Sequence, residues 1–363
     1  MDWAYIVMPI AGISIFWPGL VITGLSVGII GGFFGMGGAW MVTPALNILG
    51  FPMAFAIGTD IAHMAGKSIV STIRHGKFGN VDYRLGFIMI FGTIVGVECG
   101  AQMVMWLERI GRVEMVVRFL YLILLSLIAW MVFHDVAKKR KREREAEQMG
   151  QPLGELTTGL EWYKTFHKIK IPPMMHFKAS GLTCSIWLPI SVSFLTGWLA
   201  GLLGIGGGLI RMPSLMYFVG CPTHIAVGTD LFEVMFSGLY GTASYTYKGR
   251  TEILGVILML VGAAIGAQIG TVATKYIKGY GIRILFGFAV IGCALSIVLK
   301  LIPQYTRSVQ VKSVCDTTAV WVVLGIVSAL SLYIFIRMIV GVRKELAYKK
   351  NAGQNPMPDG KEG

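Results

Sequence analysis

Two stretches of the chain carry nearly the same pattern about 170 residues apart, and this duplication constrains the fold more than any other feature. The first runs Gly35-Met36-Gly37-Gly38, Pro44, Gly50, Pro52 and Gly58-Thr59-Asp60. The second runs Gly204-Ile205-Gly206-Gly207-Gly208, Pro213, Gly220, Pro222 and Gly228-Thr229-Asp230. The match extends to Gly79 and Gly249, to Asp82 and Glu252, and to Gly92, Gly96 and Gly100 against Gly262, Gly266 and Gly270. Gly111 likewise pairs with Gly281. One inserted residue between Pro213 and Gly220 brings the copies into register, so each half is one copy of one unit.

Composition decides the solvent. With 55% hydrophobic and 14% charged residues over 363 positions and a mean hydropathy of +0.67, the chain lacks the polar surface of a soluble domain. The expectation is an all-α integral membrane protein: a polytopic helical bundle of two inverted repeats with glycine-broken half-helices. Stretches long enough to cross the hydrocarbon lie at 18–33, 53–73, 84–106, 113–134, 185–203, 224–245, 252–273, 281–301 and 317–341. The pieces 37–50 and 207–220 are too short to cross alone and suit half-helices or a re-entrant leg. Residues 3–16, interrupted by Pro9, suit a separate helix that spans or lies on the interface. Residues 1–16 lack the basic start and small-residue cleavage site of a signal peptide, so the first span is expected to insert itself. Cys99, Cys184, Cys221, Cys293 and Cys315 stand singly, without metal-ligand spacing, and read as small core residues.

Basic residues orient the chain. Residues 138–144 read Lys-Lys-Arg-Lys-Arg-Glu-Arg, Lys164, Lys168, Lys170 and Lys178 follow, and the tail holds Arg343, Lys344, Lys349 and Lys350. Both segments belong on the cytoplasmic face of the inner membrane. The first copy then starts outside and the second inside, which five segments per repeat requires. The expected divisions are an N-terminal segment 1–17, a first repeat 18–135, a basic cytoplasmic loop 136–180 not needed for recognition, a second repeat 181–301, an external loop with an extra helix at 302–341, and a cytoplasmic tail 342–363. A formal net charge of +13 is accounted for by anionic lipid beside this loop, without nucleic acid.

The glycine turn, the proline and the Gly-Thr that leads the next helix, present in both halves, resemble the TauE/SafE sulfite exporter family, also called the toluene sulfonate uptake permease family. The resemblance covers roughly residues 18–301. It implies a secondary membrane transporter of sulfur-containing anions such as sulfite or a sulfonate, often moved outward, with no cofactor.

The glycine turns suit an anion on physical grounds as well. Without Cβ atoms, successive backbone N–H groups converge, and the start of a half-helix adds partial positive charge. Gly35, Gly37 and Gly38 in the first copy and Gly204, Gly206, Gly207 and Gly208 in the second are therefore candidate substrate ligands, with the hydroxyls of Thr59 and Thr229 and the guanidinium of Arg211 beside them. Taken singly, each glycine is explained as well by tight reversal, and each threonine by helix capping. Asp60 and Asp230 depart from the small hydroxyl residues expected of the family there, and they repel an anion. Asp60, His63 and Lys67 fall on one helix face and Asp230 and Glu233 on the matching face of the other copy, while Arg211 stands opposite Val42. These charges form either a structural ion network, in which Arg211 and Lys67 offset the acids, or a proton-coupling path. Glu98 is a further, isolated intramembrane acid.

The glycines at 92–100 and 262–270 make small faces for close helix packing. Arg74, His75, Lys77 and Arg84, around a turn with Asp82, read as topology and lipid anchors. No phosphate-binding loop or nucleophile motif is present, which argues against a primary pump or an enzyme. The competing reading is an intramembrane channel or metal-dependent membrane enzyme built on Asp60, His63, Asp230 and Glu233. Lys67 and Arg211 oppose a metal ion there, and none is expected.

Overall fold

The computed structural model describes residues 4–34, 39–148, 171–205, 208–273, 276, 280–305 and 309–354. It is helical apart from two short hairpins. The order is β1 (Tyr5–Met8), β2 (Ile13–Phe16), α1 (Trp17–Phe34), α2 (Ala39–Ile48), α3 (Met53–Lys77), α4 (Tyr83–Arg109) and α5 (Val113–Gln148). Then come β3 (Met174–Phe177), β4 (Leu182–Ser185), α6 (Trp187–Leu203), α7 (Gly208–Ser214), α8 (Thr223–Tyr247), α9 (Ile253–Ala273), α10 (Tyr280–Tyr305) and α11 (Val309–Gln354). The same series of elements occurs twice, and α11 stands outside it.

The half-helices form where the glycine turns place them. α2 is short and holds Pro44 within it. In the second copy α7 continues as a π-helical stretch, Leu215–Val219, ending at Gly220 with φ 85°. A π turn holds one residue more than the α turn it replaces, so this is where the chain absorbs the single residue by which the copies differ.

Two expectations are corrected. The helix expected at 3–16 is absent over residues 5–16, because Tyr5 to Met8 pairs antiparallel with Ile13 to Phe16. Alternating β-branched residues favour strands, and Pro9 with Gly12 at φ 66° turns the chain. Met174 to Phe177 pairs with Leu182 to Ser185 in the same way, with Gly181 at φ 67° in the place of Gly12. The hairpins therefore extend both repeats toward the N-terminus, beyond the boundaries at 18 and 181. The basic run 138–144 is also not a loop. It continues α5, because its Lys, Arg, Glu, Ala and Gln residues are all strong helix formers. Residues 149–170 lie outside the described residues.

The repeats interlock. α1 packs on α9, α6 packs on α4, and α3 packs on α8, so the three most extensive helix contacts each join one copy to the other. Glycine makes the closest of these contacts. A Cβ at Gly24, Gly28 or Gly32 would meet the backbone of Met259, Ala263 or Ala267, and one at Gly262, Gly266 or Gly270 would meet α1 in return. Gly92, Gly96 and Gly100 stand in the same relation to α6. Both pairs run parallel. α3 and α8 run antiparallel, with Ala65 against Gly238 and Ile61 against Gly241.

Burial is inside-out relative to a soluble protein. Phe91 is 72% exposed and Trp130 64%, whereas Asp60, His63, Arg211 and Glu233 are at 0%. An apolar exterior around buried charge fits a hydrocarbon surround. Among the described residues four helices are long and apolar enough to cross a membrane: Tyr83–Arg109, Val113–Met131, Ile253–Ala273 and Gly325–Glu345. α3 and α8 have the length but carry the charged residues of the site.

Candidate functional site

The Gly-Thr-Asp triplets do the same structural work at both ends of the α3–α8 pair. Gly58 lets the carbonyl of Arg250 come so close that a Cβ there would collide with it, and Gly228 does the same for Asn80. With the strands of chain in contact, the hydroxyl oxygen of Thr59 accepts the backbone N–H of Glu252 at 3.0 Å, and that of Thr229 accepts the N–H of Asp82 at 2.9 Å. Both threonines are fully buried. Each bond ties the start of α9 or α4 to the opposite repeat.

Asp82 and Glu252 add a second tie. Asp82 caps α4 by accepting the N–H of Leu85 at 3.1 Å, and its other oxygen accepts the N–H and hydroxyl of Ser180 in the β3–β4 turn at 3.0 and 2.9 Å. Glu252 accepts the N–H groups of Ile10 and Ala11 in the β1–β2 turn at 2.9 and 3.0 Å. Each hairpin is thus pinned onto a helix of the other repeat.

The aspartates take different partners. Asp60 Oδ2 accepts the backbone N–H and the hydroxyl of Thr43 on α2, at 3.0 and 2.8 Å. His63 Nδ1 lies 3.9 Å from the other oxygen, and Lys67 follows on the same face, 9% exposed. Asp230 Oδ1 instead accepts from Arg211 Nη1 at 3.2 Å, and Glu233 accepts from the same nitrogen. Arg211 Nε donates to the Thr196 hydroxyl at 3.2 Å. Arg211 Nη2 and Glu233 Oε1 are buried with no hydrogen-bond partner among the described residues. One guanidinium thus faces two carboxylates in a dry setting, where charge is held only by close pairing.

Of the expected glycine ligands, Gly204 and Gly208 are described. Gly204 has φ 76°, a conformation L side chains rarely adopt, and it lies against Thr43, so the second glycine turn abuts the first half-helix. Gly35, Gly37, Gly38, Gly206 and Gly207 lie outside the described residues. Asp60 with His63, and Asp230 with Glu233, form two separate groups toward opposite ends of the antiparallel pair. Among the described residues no three His, Cys, Asp or Glu side chains gather as a metal site.

Several participants are not apparent from residue type alone. Thr43 had a sequence signal, a hydroxyl directly before the half-helix proline; Thr196 had none. Glu98 is not isolated, because Lys248 Nζ donates to it at 2.8 Å and the Ser244 hydroxyl at 2.6 Å, from α8 and its C-terminus. Tyr121 and Tyr245 donate to the carbonyls of Leu203 and Gly201 at 2.7 and 2.6 Å, bracing the end of α6 before the glycine turn.

Fold and site together define a multi-pass helical membrane protein made of two interlocked repeats with broken helices leading to buried charge. The family model for sulfite exporter TauE/SafE matches residues 20–297, and again 188–333. The chain belongs to that family. The probable membrane transporter protein YunE of Bacillus subtilis is 26% identical over 287 residues, covering 76% of this chain and 96% of that protein. A probable membrane transporter protein of Xylella fastidiosa is 26% identical over 288 residues, 77% of this chain and 95% of its own length. Sulfite exporter TauE/SafE family protein 1 of Arabidopsis thaliana is 33% identical over 119 residues, 31% of this chain and 25% of that protein. No solved structure matches.

Proposed function

We propose that the protein is a secondary transporter that exports a sulfur-containing anion, sulfite or a sulfonate, across the inner membrane in step with protons. The observation that carries the reading is the Arg211 centre: a fully buried guanidinium beside a glycine turn, held by two carboxylates. While both carboxylates are ionised they outweigh the cation and repel an anion. A proton on either one removes that excess and frees guanidinium donors, so anion and proton arrive together. The anion sits at the Gly204–Gly208 turn and Arg211, with the Gly35–Gly38 turn as its counterpart. Asp60 and Asp230 act in coupling and do not touch the anion.

The two repeats cross the membrane in opposite senses, a reading supported by the antiparallel packing of the equivalent helices α3 and α8. Residues 136–180 and the C-terminus face the cytoplasm. A cysteine placed at residues 149–170 is therefore labelled from the cytoplasmic side only. Labelling from outside in intact cells overturns the orientation.

Flux in proteoliposomes tests the function. Sulfite or sulfonate efflux should respond to an imposed pH gradient, and Asp60→Asn and Asp230→Asn should abolish gradient-driven flux while anion-for-anion exchange persists. Absence of sulfite and sulfonate flux in the parent protein sinks the transport reading. Gradient-driven flux unchanged in both variants sinks the coupling.

A further inference from the structure

We infer that the cavity between α3 and α9 seats one acyl chain of a membrane lipid, drawn from the leaflet at the C-terminal end of α3. The inference goes beyond the transport reading and stands on the membrane setting, not on the transported substrate.

The cavity measures about 360 Å³. Its polar groups do not call for a charged guest. The Ser71 hydroxyl donates to the Lys67 carbonyl at 3.1 Å, and the Thr271 hydroxyl lies 2.9 and 3.0 Å from the carbonyls of Ala267 and Gln268. Lys67 and His75, which also border the space, are engaged with other groups. Most of the remaining wall is apolar and small, made of Gly66, Val70, Leu260, Ala263, Ala264 and Ala267. Water finds few open partners in such a space, and an empty one forfeits dispersion contacts along its wall.

Comparison with the other half shows what opens the space. At the equivalent positions Phe236 stands for Gly66, Tyr240 for Val70, Ile94 for Ala264 and Val97 for Ala267. There Phe236 packs on Phe87 and Phe232, with ring centroids 6.1 and 5.2 Å apart. Gly66 also differs from the glycines that let helices approach. A Cβ on it would meet only the Leu260 side chain, at 3.0 Å, whereas one on Gly24, Gly28 or Gly32 would strike backbone. Helix contact therefore does not require a glycine at 66, and its smallness leaves the groove open.

Position names the occupant. Val70 is 70% exposed and Ala264 is exposed with it, while Ile73, Val261 and Ile265 beside them face outward as well. The groove is thus continuous with the apolar exterior that meets hydrocarbon. Along α3 the lining runs from Gly66, near the helix centre, to His75, about 14 Å at ~1.5 Å per residue. That is close to half of the roughly 30 Å hydrocarbon core, the reach of one leaflet. The lipid chain takes the place of the side chains that fill the other half, and it supports the helix that carries Asp60, His63 and Lys67.

The test uses the purified full-length protein in phosphatidylcholine vesicles containing a small share of phosphatidylcholine with a diazirine midway along one chain. After irradiation and digestion, residues 66–75 and 260–271 should carry several-fold more label than the exposed α5 face at Phe119, Ile123 and Leu127. Gly66→Phe with Ala264→Ile, the residues of the other copy, should bring that label down to the α5 level. In detergent, added phosphatidylcholine should raise the melting temperature of the parent more than that of this variant. If Gly66→Phe prevents folding, Val70→Tyr with Ala264→Ile fills the groove from its exposed rim and should act alike. Label at the α5 level in the parent overturns the site, as do label and lipid-dependent melting unchanged in a folded, filled variant. A disulfide between copies at Val70→Cys in place of the label gives the groove to a second protomer and overturns it too. Sulfite and sulfonate flux in the same vesicles decides the transport reading separately, since label without flux leaves the site standing.

Discussion

Replacing Arg211 by methionine tests whether the charged centre is dry. The guanidinium is fully buried and serves Asp230, Glu233 and Thr196 at once. Methionine keeps much of the volume and leaves two carboxylates facing each other without a counter-charge. Breaking a buried ion pair from one side costs about 3–5 kcal/mol, so the unfolding equilibrium should shift by roughly two to nearly four powers of ten. Denaturant titration in detergent, followed by tryptophan fluorescence, reads this as a lowered midpoint. The triple variant Arg211→Met, Asp230→Asn, Glu233→Gln should recover most of the loss, because uncharged amides in place of carboxylates need no counter-ion. If Arg211→Met unfolds within about 1 kcal/mol of the parent, water already screens the three charges and the proposed proton step loses its basis.

Three further outcomes check the scaffold. Gly96→Val places a Cβ 2.7 Å from the Trp198 backbone nitrogen; overpacking of about 1–3 kcal/mol should cut the yield of monodisperse protein, and an unchanged elution profile and melting point would contradict the α4–α6 contact. Thr229→Val leaves the Asp82 N–H without its acceptor and should destabilise by about 1–3 kcal/mol, whereas Thr229→Ser should stay close to the parent; equal effects would mean the hydroxyl is not used there. Glu252→Ala removes the acceptor for Ile10 and Ala11 and should speed hydrogen exchange in residues 5–16 with little change in α3; unchanged exchange would show that the hairpin is held otherwise.

How much of this was legible in the sequence depends on the range of each interaction. The duplication showed the repeat, the broken helices and even the odd residue that became the π turn, because those are local consequences of glycine and proline spacing. The hairpins were missed because strands of four residues leave a weak pattern beside strong helical signals, although Gly12 and Gly181 marked both turns. The roles of the Gly-Thr pairs were not visible, since their partners, Arg250 with Glu252 and Asn80 with Asp82, lie in the opposite repeat. That Arg211 offsets buried acids follows from cost alone, as a buried acid needs a cation, but its choice of Asp230 and Glu233 does not.

The division between like and unlike positions carries the argument further. Where the copies agree, as at Gly58 and Gly228, Thr59 and Thr229, and the acids Asp82 and Glu252, the contacts agree too, and each holds one repeat to the other. Where they disagree, the contacts differ in charge. Val42 stands opposite Arg211, His63 opposite Glu233 and Lys67 opposite Ser237. Asp60 consequently rests on the neutral donors of Thr43, while its counterpart Asp230 rests on a guanidinium. A symmetric frame favours neither side of a membrane, because every contact at one end has its equal at the other. These three pairs of positions are among those at which the two otherwise matching ends of the α3–α8 pair hold charge differently.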